Sequence, residues 1–98
     1  DIDDAIINPI YEQHGLLENR TFGTGHSFGI MGYWYGRDEL GEIRPYNDYV
    51  LQPNMVMSME PVISVEGIGG FKHADMFLIT ENGNEPLTRF RNDVIVID

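Results

Sequence analysis

Five glycines, Gly23, Gly25, Gly29, Gly32 and Gly36, punctuate the run GTGHSFGIMGYWYG, and that density rules out a stable helix there. In extended backbone, glycine marks a bulge, or a place where a ligand or another segment comes close. The same stretch holds His26, the aromatic run Tyr33, Trp34 and Tyr35, and Arg37 beside Asp38 and Glu39. Ordinary core residues are scarce, so the segment reads as the wall of a site, with only part of that site carried by this chain.

Around it the chain alternates between helix, strand and turn signals. The opening DIDDAIINPIYEQHGL predicts a helix, with Asp3 or Asp4 as cap and Ile2, Ala5, Ile6, Ile10 and Tyr11 marking an apolar stripe. Pro9 predicts a kink or a restart, and Gly15 a stop. Residues 37 to 49 are polar, with Gly41 and Pro45, and read as a surface loop. LQPN at 51–54 is a turn signal leading into the strand MVMSMEPVI. Its alternation puts Val56, Ser58 and Glu60 on one face and Met55, Met57 and Met59 on the other. SVEGIGG then leads to a second strand, FKHADMFLIT at 71–80, with Lys72, Ala74, Met76, Leu78 and Thr80 sharing one face. The two strands are expected to pair as a hairpin with a long connection. ENGN at 81–84 predicts a turn, and VIVI at 94–97 a last short strand.

Composition narrows the function. Sixteen acidic against six basic residues give a formal charge of −10, which would repel a phosphate backbone and argues against nucleic-acid partners. There is no cysteine, hence no disulfide framework or thiolate chemistry, in keeping with a reducing compartment and a cytoplasmic location. No apolar run approaches the roughly 20 residues of a membrane span, and no leader pattern is visible. The 98 residues allow one domain, and a start at Asp1 rather than Met leads to the expectation that the segment belongs to something longer.

Three residues stand out for chemistry. Glu60 sits within an apolar strand; if buried, its carboxylate needs a cation, metal, ligand or proton, and otherwise it is an edge-strand acid facing water. Pro61 cannot donate to a ladder, so the strand should be interrupted there. His26 is either structural or an imidazole that its flanking glycines open to a substrate. Arg37 either holds a substrate carboxylate in a fork or pairs with its acidic neighbours. His73 and Asp75 form a weak candidate metal pair, and His14, Tyr33, Trp34 and Tyr35 are candidate pocket linings. There is no phosphate-binding glycine loop with lysine, no nucleophile elbow and no HExxH helix.

GTGHSFG, LQPNMVMSMEPVIS and GIGGFKHADMFLITENGNEPLTRF, in that order and spacing, resemble the C-terminal half of a pita-bread catalytic domain. That family includes methionine aminopeptidase, aminopeptidase P, prolidase and creatinase, and the resemblance covers about residues 3 to 90. GHSFG, the YGRD run, SMEP and NGNEPLTRF are most similar to the creatinase branch. The likeness implies an α+β pita-bread fold, a curved antiparallel sheet with helices on one side, of which residues 1–98 are only the C-terminal part.

In the metallopeptidases of the family, the positions matching His26 and Glu60 bind one or two divalent metals. A further metal-binding glutamate would fall at Ala74, and a second histidine at Tyr33; neither residue present is such a ligand. Creatinase has histidines at both places, and it too lacks the metal set. Arg37 matches the arginine that helps hold the substrate carboxylate there.

The resemblance therefore implies a creatinase-like hydrolase that cleaves a C–N bond of a small guanidino or amidino acid without a cofactor. His26 and Glu60 would be catalytic, and Arg37, Glu60 and Tyr33 would bind the zwitterionic substrate. Two alternatives stand beside it. One is a metal-dependent Xaa-Pro peptidase, prolidase or small-zwitterion lyase, with His26 and Glu60 on Mn, Zn, Fe or Co. The other is a binding module without catalysis. The expected partners are the N-terminal half of the same domain, which would supply the general base, and a second copy in a homodimer, with no nucleic acid or membrane partner.

Overall fold

The computed structural model describes residues 3–29, 42–44, 48 and 50–98. Tyr33, Trp34, Tyr35 and Arg37 lie outside the described residues.

The chain enters through a π-helical turn, Asp3–Ile7, that tightens into helix α1, Asn8–Gln13. Pro9 falls in the first turn of α1, where its missing N–H leaves no hydrogen bond unmade, so it marks the predicted restart. The expected aspartate cap is not what opens α1: Ile7 occupies the N-cap position, with no side-chain capping bond. Gly15 ends the helix as predicted, at φ +67°. The amide of Gly15 bonds the Glu12 carbonyl at 2.9 Å and that of Leu16 bonds the Tyr11 carbonyl at 2.8 Å. This pairing is a Schellman closure, and it needs a left-handed residue that glycine adopts without strain. A 3-10 turn, Leu17–Asn19, follows. Of the apolar stripe, Tyr11 is buried while Ile6 and Ile10 are exposed.

Among the described residues all strand pairs are antiparallel. Strand β1 (Gly25–His26) pairs with β2 (Glu42–Ile43), and β6 (Asp75–Thr80) lies between β3 (Val56–Met59) and β7 (Gly83–Pro86). Strand β4 (Val62–Val65) pairs with β5 (Gly69–Lys72). The predicted long hairpin is present, but it is cut in two. Met59 pairs with Asp75 and Val62 with Lys72, so the two ladders share one register across a break at Glu60 and Pro61. Proline has no N–H to give, and the gap is spanned by the His73 amide on the Pro61 carbonyl, at 3.4 Å. The connection is short rather than long. Glu66 to Ile68 turn the chain, with Gly67 at φ +77° and the Ile68 amide on the Val65 carbonyl.

Three further expectations are corrected. The surface loop at 37–49 contains β2, whose Glu42 and Ile43 are both buried. The turn at 81–84 is tighter than predicted, because Thr80 pairs with Gly83 and β7 begins there. Residues 94–97 form no strand: all four apolar side chains are exposed and no ladder among the described residues takes them up.

The apolar face of the hairpin does what its alternation predicts. Met57 is buried opposite Phe77, and with Ile43, Met59 and Ile79 it lines a 290 Å³ cavity. Helix α1 docks on the other ladder through Tyr11 Oη, which donates to the Val62 carbonyl at 3.3 Å. The turn after it is tied down by Asn19, whose amide donates to the Ser64 carbonyl at 2.9 Å.

Strand β1 lies across β3 through a bridge between Ser27 and Met57. The Glu60 amide reaches the Thr24 carbonyl at 2.6 Å, and the Phe28 amide reaches the Val56 carbonyl at 2.8 Å. Gly25 permits this crossing. A Cβ at that position would stand 1.9 Å from the Ser58 carbonyl oxygen, on a backbone held on both sides. Gly25→Ala is therefore expected to destabilise the protein by about 3 kcal/mol or more, since overpacking against fixed backbone cannot relax. Thermal unfolding of the full-length variant measures it; an unchanged midpoint would mean that β1 does not cross β3 this closely.

Candidate active site

The crossing of β1 over β3 and the hairpin register put three chemically active residues on one face. Ser27 pairs with Met57, so His26 comes opposite Ser58 and Thr24 opposite Glu60. On the other side of β3, one step beyond the Met59–Asp75 pair, Glu60 comes opposite Ala74, with Lys72 diagonal to it. Glu60 is thus flanked diagonally by His26 on one neighbouring strand and Lys72 on the other. Long side chains reach across such diagonals.

The contacts follow. His26 Nε2 lies 2.9 Å from Glu60 Oε2, and Lys72 Nζ lies 2.9 Å from Glu60 Oε1. Of the two readings left open for Glu60, the partnered one holds: its side chain and that of His26 are half-buried, each 17% exposed. His26 is positioned at both ends. Its backbone amide donates to the Ser58 hydroxyl at 3.1 Å, and its Nδ1 sits 2.8 Å from the Ser27 carbonyl. A carbonyl only accepts, so Nδ1 carries hydrogen and Nε2 is the atom turned to the carboxylate. Burial works to raise the Glu60 carboxyl, but the Lys72 hydrogen bond, the nearby charges of His26 and Lys72 and a Ser58 hydrogen bond outweigh it. Glu60 consequently lies below its ordinary value of 4.5 and is a carboxylate at neutral pH.

These residues open on a 210 Å³ pocket completed by Phe22, Gly23, Gly25, Glu42 and Arg44. Arg44 Nε meets Glu42 Oε2 at 2.6 Å, and its guanidinium lies 5.5 Å from the Phe22 ring centroid. The pocket is therefore lined by two acid–base pairs, Glu60 with Lys72 and Glu42 with Arg44.

The other candidates go elsewhere. His14 lines a separate, mostly apolar groove of 470 Å³ with Tyr11, Phe71 and His73. His73 and Asp75 partner each other: Nε2 lies 2.8 Å from Oδ2, and the Thr88 hydroxyl donates to the second Asp75 oxygen. Those bonds, Thr88 first and His73 second, hold the Asp75 carboxyl below its usual value. Lys72, Arg44 and Glu42 were not singled out from sequence. The signal for Lys72 was available, because Glu60 and Lys72 fall on the same face once the hairpin register is fixed. Glu42 and Arg44 lie in a polar stretch with no comparable pattern.

The profile of metallopeptidase family M24 matches residues 1–81. This chain belongs to metallopeptidase family M24. Among curated M24-related proteins it is 48% identical over 90 residues to a creatinase from a Bacillus species, covering 88% of this chain and 22% of that one. It is 32% identical over 92 residues to a Xaa-Pro dipeptidase from Pyrococcus horikoshii, covering 94% of this chain and 25% of the relative. Among solved structures, a Xaa-Pro dipeptidase from Bacillus anthracis superposes with a TM-score of 0.83 at 30% identity, over 96% of this chain and 25% of that one. A prolidase from Pyrococcus furiosus gives 0.76 at 31% identity, over 91% and 25%. The α+β arrangement is accordingly the pita-bread fold, as its sequence motifs implied. The chain spans about a quarter of the length of the relatives it matches.

M24 membership raises the question of a divalent metal, and the described donors do not fit one. Among the described residues no group of three or more His, Cys, Asp or Glu is arranged to hold an ion. Ala74, across from Glu60, has no ligating atom, and the Lys72 ammonium already stands on one Glu60 oxygen. A divalent ion bound by the described residues would have to share Glu60 with that positive charge.

Proposed function

We propose that this chain is the C-terminal part of a creatinase-like hydrolase, which cleaves a C–N bond in a small guanidino or amidino acid without a metal. The observation that carries the reading is the Glu60 carboxylate, held ionised between His26 and Lys72 at the wall of a pocket. A carboxylate offers about four lone-pair sites, so with two engaged it still has two for a planar guanidinium. The similarity to a creatinase supports the same choice.

Glu60 would orient the guanidinium by charge-assisted hydrogen bonds, and His26 would sit against the reacting carbon and its nitrogens. Arg37 and Tyr33 would complete the substrate site, Arg37 on the carboxylate. Water, activated by a base from the rest of the domain, adds to the guanidinium carbon. The bond from that carbon to the amino-acid nitrogen then breaks, the nitrogen takes a proton, and urea leaves with the N-substituted amino acid.

A second reading is favoured by the likeness to Xaa-Pro dipeptidases: a metal-dependent peptidase, with the remaining ligands supplied from outside these residues. Supplying the full-length protein with creatine and related guanidino acids, and in parallel with Xaa-Pro dipeptides, separates the two. Urea release without dipeptide cleavage is expected; proline release that a chelator abolishes would establish the second reading in its place.

A further inference from the structure

We propose that the Lys72 ammonium is a tethered cation that fills, at the His26–Glu60 pair, the charge role a divalent metal would otherwise take. This deepens the metal-free limb of the proposed function and rests on it.

His26 Nε2 and Glu60 Oε2 are 2.9 Å apart, and both carry lone pairs unless a proton or a metal lies between them. Where a metal is the bridge, its positive charge must be matched by several donors. Here the strand opposite Glu60 offers Ala74, whose side chain cannot donate, and places Lys72 two residues earlier on the same face. The lysine stem crosses the diagonal and sets Nζ 2.9 Å from the second Glu60 oxygen. Both carboxylate oxygens are thereby engaged, one by an imidazole and one by an ammonium.

Lys72 is 48% exposed along its side chain, and its Nζ is turned to the Glu60 carboxylate at the pocket wall. The consequence is selectivity by charge. A monovalent guanidinium is weakly hydrated and flat, and tolerates one ammonium neighbour; a divalent ion meets twice the repulsion at the same distance.

Titration of the full-length protein with Mn²⁺ alone, read by calorimetry and elemental analysis, tests this through three variants. The parent is expected to bind no stoichiometric Mn²⁺. Ala74→Glu restores a carboxylate opposite Glu60 but leaves the ammonium in place, and should remain weak. Lys72→Met combined with Ala74→Glu should bind one Mn²⁺ per chain, at least roughly tenfold tighter than Ala74→Glu alone, the size of effect that groups bordering a metal site usually exert. Lys72→Arg with Ala74→Glu keeps the charge and should stay weak. Stoichiometric Mn²⁺ in the parent, or equal affinity with and without the Lys72 charge, would overturn the proposal. The urea assay reads the function independently: a metal-free parent that turns over no guanidino acid removes the proposed substrate class and leaves the role of Lys72 standing.

Discussion

Glu60→Gln in the full-length protein is expected to lower kcat/KM for a guanidino acid by about a hundredfold or more. Hydrogen bonds to a charged group contribute about 1.5–3 kcal/mol each. Replacing the carboxylate removes the charge on which a guanidinium would be held, and one of its two oxygens becomes an amide donor facing a cation. The loss of roughly 3 kcal/mol corresponds to that factor in kcat/KM. The variant keeps the shape of Glu60 and its place between His26 and Lys72, so the fold should be retained, and circular dichroism of the same preparation checks that. A folded Glu60→Gln enzyme within threefold of the parent would mean that the substrate is not anchored at this carboxylate.

The second large effect concerns folding. Residues 1–98 expressed alone are expected to show no cooperative thermal transition. Among the described residues only Tyr11, Ile43 and Met57 are buried apolar side chains, while Phe22, Val50, Phe71, Phe90 and all of Val94 to Ile97 are exposed. So small a core does not offset the ordering of the backbone. Ladders β3–β6–β7 and β4–β5 also leave edges, which favour association. The relatives that share this fold are about four times as long, and the remainder of such a chain is what would cover these surfaces. A sharp, reversible transition from a monomeric 98-residue segment would show that it is stable without that cover.

Much of this arrangement is written in short-range chemistry. Gly15 stops α1 because a left-handed residue is needed there, and the alternation of Met55 to Glu60 sets the apolar and polar faces of β3. Pro61 breaks the ladder where its missing N–H requires. What escapes the sequence depends on tertiary pairing. Gly83–Pro86 contains no β-branched or aromatic residue and becomes strand β7 only because β6 presents an edge. Val94 to Ile97 have strong strand propensity and pair with nothing described, since propensity without a partner makes no ladder. In the site, His26 and Glu60 were visible as unusual residues in their segments. That they meet at 2.9 Å follows from β1 lying against β3 at Gly25; the glycine run signals a close approach, and only the fold shows which segment makes it.

The most direct test of the account is one assay on the full-length protein, first stripped of metal by chelation and verified metal-free by elemental analysis. Incubated with creatine and a short series of guanidino and amidino acids, it should release urea or the corresponding amide at an undiminished rate. Loss of all turnover on stripping, restored by added Mn²⁺ or Zn²⁺, would contradict it.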